Sequence, residues 1–341
     1  VSAHDSVPAL RRRLLELVQG YRITQVLHAA ASLGIGEALR GEPRDSHSLA
    51  AAVGAHEPSL VRLLRALIRL DLVRRTPDGR YTLTEAGRLL DAEHPGSVRA
   101  GFLFEGSILY EHWIELAASV RTGQNVYQRR YGVDAWTYRL RHAELGLRFD
   151  AAMQEYSAAR VSAVLAAYDF SGLHRIIDVG GGRGSLLAGI LKSYPAARGV
   201  LFDQPAVVVA AGAVLGAAGV ADRCEVVGGS FFERVPPDGD AYILSVVVHD
   251  WDDERAAAIL ATCRRAMSSS SRLLLIERLL PDEPGGSIEP YLQDLNMMHS
   301  LAGRERSQAE YRALLAGSGF RLARIVATDS PFAVIEASVD A

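Results

Sequence analysis

Apolar positions recur along this chain with two periods, and the change comes near residue 170. Over Pro8–Leu39 the spacing is helical: Leu14, Leu15 and Val18, then Val26, Leu27, Ala30 and Leu33. The pair is apolar over more than one stripe, which suits burial against a second chain as well as packing inside a bundle. A short helix is predicted over Ser48–His56, and Glu57–Leu70 predicts a second, with Leu60, Leu63, Leu64, Leu67 and Ile68 on its apolar face. Leu72–Arg75, the turn Pro77-Asp78-Gly79 and Tyr81–Thr84 read as a hairpin. Helix, helix and hairpin form the pattern of a winged helix. Residues 98–160 read as helical and rich in aromatics, with Phe149, Met153 and Tyr156 at a spacing that suits either a core or one wall of a ligand pocket.

Beyond residue 170, short apolar runs alternate with helical stretches. Strands are predicted at Ile176–Val179, Gly199–Asp203, Arg223–Val227, Ala241–Val248 and Arg272–Glu277. Two more, Phe320–Thr328 and Phe332–Ala337, lie close enough for a hairpin, so the expected sheet is mostly parallel with an antiparallel edge. Helices are predicted from Pro205 to about Gly219, over Asp252–Met267 and over Ser307–Gly317. The expected fold class is α/β with a Rossmann-like sheet, preceded by an all-helical and winged-helix domain.

Composition narrows the function classes. With 341 residues, about half of them hydrophobic, the chain can build two domains. A formal net charge of −3 gives no global basic field for nucleic acid or membrane. Arg62, Arg65 and Arg69 share one helical face, but Asp45, Glu57, Asp71, Asp78 and Glu85 dilute it, which favours a structural or dimerisation role over DNA binding. Cys224 and Cys263 have no metal-type spacing, no metal is expected, and they fit a reducing compartment. The stretch Val1–Gly20 reads as neither signal peptide nor membrane span, so a cytoplasmic location is expected.

The chemistry starts at Asp178-Val179-Gly180-Gly181-Gly182-Arg183-Gly184, between a strand and a helix. Glycines there let backbone approach a ligand at the carboxyl end of a parallel strand. The turn fits the Asp-x-Gly-x-Gly-x-Gly pattern of S-adenosylmethionine enzymes, and less well a nicotinamide site, for which Ser185 stands at the third small position. Asp203, ending the next strand, suits a ribose diol in either case. His249 follows the strand at 241–248, Glu277 ends the strand at 272–277, and Glu305 lies just before a helix, so three ionisable groups converge on the glycine-turn edge. Taken singly, each has a plain structural role: a neighbour of a helix cap for His249, an arginine ion pair for either glutamate.

Here the chain resembles the S-adenosylmethionine-dependent O-methyltransferases of the plant caffeate type and their bacterial natural-product relatives. The resemblance rests on the glycine turn, Gly229-Ser230-Phe231-Phe232, His249-Asp250-Trp251-Asp252-Asp253-Glu254 and Gly303-Arg304-Glu305-Arg306-Ser307, in order over nearly the whole length. It decides for S-adenosylmethionine, with S-adenosylhomocysteine as product. It implies a homodimer built through residues 1–98, a linker at 99–160 that contributes to the acceptor pocket, and a catalytic domain at 161–341. Asp178, Gly180, Gly182, Asp203, Gly229, Ser230, Phe231 and Ser245 would hold the cofactor. His249 would be the general base, with Glu277 and Glu305 beside it. Phe149, Met153, Tyr156, Trp251, Asp294, Met297 and Met298 would face a flat aromatic acceptor of secondary metabolism, such as antibiotic biosynthesis. Ser230 and Ser245 depart from the plant pattern, which carries Asp and Lys there. The partners implied are a small aromatic molecule and a second copy, with no nucleic acid and no membrane. Transfer to nitrogen or carbon, or a non-methylating reaction that still binds the cofactor, are the alternatives.

A phenol with a pKa near ~10 is mostly protonated at neutral pH, whereas an imidazole near ~6.5 is mostly free base. A histidine is therefore suited to taking the proton as the oxygen attacks, an effect of about 10²–10⁴-fold.

Overall fold

The structure is a computed structural model that describes residues 6–283 and 285–340. Val1–Asp5 of the N-terminal stretch, Pro284 and Ala341 lie outside the described residues. The chain divides into two compact units, residues 1–114 with 142–156, and residues 115–141 with 157–341. The stretch 99–160 is thus shared between them.

The first unit contains the helices Val7–Leu17, Gly20–Ser32, Ser46–Val53 and Glu57–Arg69 and the antiparallel hairpin β1 (Val73–Arg75) and β2 (Tyr81–Leu83). The Ser46–Val53 helix begins where Asp45 accepts the Ser48 amide at 2.7 Å and ends at Gly54 in the left-handed region. Leu60, Leu64 and Leu67 recur at helical spacing and pack with Leu49, Val73, Tyr81 and Leu83, while Arg62, Arg65 and Arg69 face outward. Because Leu64 is fully buried, Leu64→Ala is expected to lower the unfolding free energy by about 2–5 kcal/mol, read as a lower urea midpoint. Val7, Leu14, Leu17 and Val18 are all more than half exposed, an apolar helix face that its own unit leaves uncovered.

The second unit holds β3 (Arg175–Val179), β4 (Arg198–Asp203), β5 (Cys224–Gly228), β6 (Ala241–Ser245), β7 (Arg272–Leu280), β8 (Arg306–Ser307), β9 (Phe320–Ala327) and β10 (Phe332–Val339). The main sheet runs β5-β4-β3-β6-β7-β10-β9, with β8 added in parallel to the end of β7. Strands β3 to β7 pair in parallel, and β10 is antiparallel to both β7 and β9. The central strands are apolar on both faces, and Ile176, Ile177, Ile243, Leu244, Leu274 and Leu275 have no exposed surface. The chain winds outward from β3 to β5, then returns to place β6 on the other side of β3. This is the switch point at which open α/β sheets bind ligands.

One boundary differs from the pattern in the sequence. The apolar run Ala241–Val248 does not remain a strand to its end, since β6 stops at Ser245. Val246 has φ +59°, an outlier for a β-branched residue, and Val248–Asp250 form a 3₁₀ turn. A buried turn looks like a buried strand when only polarity is counted. A second helix-forming stretch, Glu289–Leu301, carries no clear signal in the sequence pattern and stands between β7 and β8.

Candidate active site

The strand ends bring the glycine turn and the histidine turn together. Gly180, Gly182 and Gly184 all have positive φ, and the Gly180 amide is held by the Phe202 carbonyl at 2.8 Å. A Cβ on Gly180 would lie 2.8 Å from Val247 Cγ2, so only glycine lets the two turns touch. Asp203 accepts the Gly182 amide at 2.8 Å and the Gln204 amide at 2.6 Å, which fixes its carboxylate at the tip of β4.

Asp178 ends up 1% exposed, and neither carboxyl oxygen has a hydrogen-bond partner. Burial raises its pKa to about 7, with the Asp203 charge adding to the effect. Nearby, the buried Ser245 hydroxyl and the Trp251 indole N–H are also unpartnered. Arg160, from the C-terminal half of the Ala143–Ala167 helix, brings a cation toward Asp178 and Glu277. Burial pulls its pKa down to about 10 against those two carboxylates. Its Nε has no partner. Sequence reasoning missed Arg160, and an arginine in a helix carries no signal without the fold around it.

His249 is nearly fully buried in the turn after β6. Its Nδ1 lies 2.9 Å from Glu305 Oε1 and 3.8 Å from Glu277 Oε2, and its Nε2 lies 3.4 Å from Asp250 Oδ1. An ionised carboxylate can only accept, so Nδ1–H is the donor to Glu305. Glu277 Oε1 accepts the Val247 and Val248 amides at 3.1 and 2.8 Å, so this residue holds the turn as well as facing the ring. The Glu277 and Glu305 carboxyl groups and the imidazole are buried, and Asp250 is partly exposed at their edge.

The electrostatics correct the expectation of a mostly free-base imidazole. Burial alone would lower the His249 pKa, but Glu277, Glu305 and Asp250 together outweigh it and raise it to about 10. Burial pushes Glu277 up to about 7 and Asp250 up to about 6, with the His249 charge opposing both shifts. The carboxylates therefore favour the imidazolium over the free base at neutral pH, and the cluster exchanges its protons as a unit.

The remaining predicted site residues fall into separate groups. Gly229 and Ser230 form the turn after β5, where the Ser230 hydroxyl accepts the Phe232 amide at 3.3 Å. Trp251, expected at the acceptor, packs edge-on against Phe231 and Phe232 at 6.0 and 4.9 Å between centroids, with Arg255 over its ring. Asp294, also expected there, accepts the Glu305 amide at 2.9 Å and so anchors the backbone behind His249. Met297 is buried and Met298 half-buried on the same helix. In the first unit Phe149 and Met153 pack with Phe104, whose ring meets Phe149 edge-on at 5.6 Å, and Tyr156 is partly exposed.

Comparison with known proteins gives this geometry a family. The O-methyltransferase domain family matches residues 113–321, and the O-methyltransferase dimerisation domain family matches residues 15–92. The chain is 41% identical over 324 residues to the phenazine O-methyltransferase PhzM of Lysobacter antibioticus, covering 95% of each. It is 35% identical over 331 residues to 8-amino-8-demethylriboflavin N,N-dimethyltransferase of Streptomyces davaonensis, covering 95% and 94%. The crystal structure of human N-acetylserotonin methyltransferase in complex with S-adenosylmethionine superposes with a TM-score of 0.90 at 30% identity, covering all of both chains. The chain belongs to the O-methyltransferase family, with its dimerisation domain followed by its catalytic domain.

Proposed function

We propose that the protein transfers a methyl group from S-adenosylmethionine to a hydroxyl of a phenolic or polycyclic aromatic natural-product intermediate, with His249 as general base. The observation that carries this reading is the buried His249–Glu305 pair at the switch point, beside a glycine turn with unpartnered buried polar atoms. The cofactor supplies a methyl on a sulfonium, already bound to a good leaving group. The residues present fit it: Asp178 offers a carboxylate to an ammonium, Arg160 a guanidinium to a carboxylate, and Asp203 its outer lone pairs to a ribose diol. Phe231, packed against Trp251, offers an aromatic face to adenine.

The chain's own work is placement and proton removal. Glu305 takes the Nδ1–H, which fixes the tautomer and leaves Nε2 as the base once its proton is lost. Glu277 and Asp250 stabilise the imidazolium that forms. The cluster of Phe104, Phe149 and Met153 supplies the kind of surface on which a planar ring packs. The exposed apolar face of the Val7–Leu17 helix lies partly within the dimerisation domain, and we assign it to the homodimer contact. Among the described residues no helix is long and apolar enough to cross a membrane. We place the protein in the cytoplasm, where free Cys224 and Cys263 stay reduced.

Calorimetry with S-adenosylhomocysteine tests the cofactor site. Asp203→Ala is expected to weaken binding by about 10–100-fold, the loss of charge-assisted hydrogen bonds. Absence of any heat with the unaltered protein would overturn the reading. A second reading, transfer to nitrogen, rests on the dimethyltransferase relative. Incubation with paired hydroxy- and amino-substituted phenazines and naphthoates, with product analysis, separates the two.

A further inference from the structure

The segment Gly303–Arg306 does more than carry Glu305. Arg306 is fully buried, and its guanidinium donates to the Val248 carbonyl at 3.1 Å, the Trp251 carbonyl at 2.9 Å and Asp253 Oδ1 at 2.8 and 2.9 Å. The Arg304 amide takes the carbonyl between them, that of His249, at 2.8 Å. Three carbonyls of the histidine turn are thus held from one side, while Glu277 holds its amides from the other. Gly303 permits this approach, since a Cβ there would lie 2.1 Å from the His249 carbonyl oxygen. The segment is itself pinned to the sheet, because Arg306 and Ser307 pair with Leu279 and Leu280, just beyond Glu277. Immediately before the clamped residues lies Val246 with its left-handed backbone, a strained residue that persists only where its surroundings over-determine it.

We propose that Arg306 is a positioning residue for the methyl-transfer reaction: by tying down the carbonyls on both sides of His249 it fixes where the imidazole points. A planar guanidinium with donors in a fork suits three such bonds at once, whereas a lysine ammonium on the same stem reaches one or two. The proposal rests on His249 being the base, and a double-mutant cycle keeps the two ideas apart. Arg306→Lys is expected to lower kcat by about 10–100-fold, as misplacement of a catalytic group does. The KM for S-adenosylmethionine and the binding heat of S-adenosylhomocysteine should change by less than about threefold, because Arg306 makes no contact with the glycine turn or Asp203. The downfield Nδ1–H proton signal of His249 should broaden or vanish. In a His249→Ala background the same substitution should have no further effect on the rate. If Arg306→Lys lowers the rate equally in both backgrounds, or folds with kcat and the proton signal unchanged, the positioning role is wrong. If His249→Ala alone leaves kcat intact, the base assignment fails instead. Should Arg306→Lys not fold, Asp253→Asn decides: its side chain is largely exposed, it steadies the Arg306 guanidinium and otherwise pairs with the exposed Arg304, and a kcat loss of about 2–5-fold with unchanged cofactor binding is expected. No loss there overturns the proposal.

Discussion

Replacing His249 by alanine is expected to lower kcat by about 10²–10⁴-fold while S-adenosylhomocysteine binds with near-unaltered affinity. The split follows from where the ring sits. His249 touches Glu305, Glu277 and Asp250 and makes no hydrogen bond to the glycine turn or to Asp203. The substitution leaves buried carboxylates without their cation, which raises their pKa values and favours their neutral forms. A drop in thermal midpoint therefore accompanies the loss of rate, and the rate is measured well below it. His249→Gln serves as a second probe, since it fills the space and offers a donor to Glu305 but no base. If either variant retains kcat within about threefold at every pH, a proton acceptor at this position is not part of the reaction.

The sequence disclosed the fold to different depths in different places. Parallel strands buried on both faces read as continuous apolar runs, and β3, β4 and β7 were legible for that reason. The convergence of His249, Glu277 and Glu305 was legible because strand ends in such sheets share one edge. What polarity alone does not carry is backbone direction. Val246 is as apolar as its neighbours, so the point where β6 becomes a turn left no mark. Nor does a residue's type say which neighbour it meets. Trp251 packs on Phe231 and Phe232 and Asp294 holds the Glu305 amide, contacts that neither residue's type specifies. Arg160 and Arg306 went unassigned for the same reason, as arginine is common in this chain and usually solvated. Asp250 and Asp252 are both candidates for the helix cap beside His249 in the sequence; the cap is Asp252, which accepts the Arg255 amide at 2.8 Å, while Asp250 faces the imidazole.

The pH profile should lie on the alkaline side of that of an ordinary histidine base. With its pKa raised by the carboxylates around it, His249 is mostly protonated at pH 7, so the rate should climb with pH through the neutral range, by up to about tenfold per unit. A cationic cofactor in the same cleft favours the neutral ring, and the uncharged sulfur of S-adenosylhomocysteine does not. The rise of kcat with pH is therefore expected to be centred below the imidazole titration seen by NMR in the S-adenosylhomocysteine complex. Stability follows the same groups with a definite sign. His249, raised above its ordinary 6.5, contributes stability that is complete below that value and is lost as pH rises toward about 10. Glu277 is an acid raised by burial, from 4.5 to about 7, so the folded state holds its proton more tightly and loses that advantage between those values. Both push the same way: the urea midpoint should fall from pH 5 to pH 9. A midpoint that rises over this range, or an imidazole that titrates near 6.5 in the folded protein, would show that the three carboxylates do not hold the ring charged.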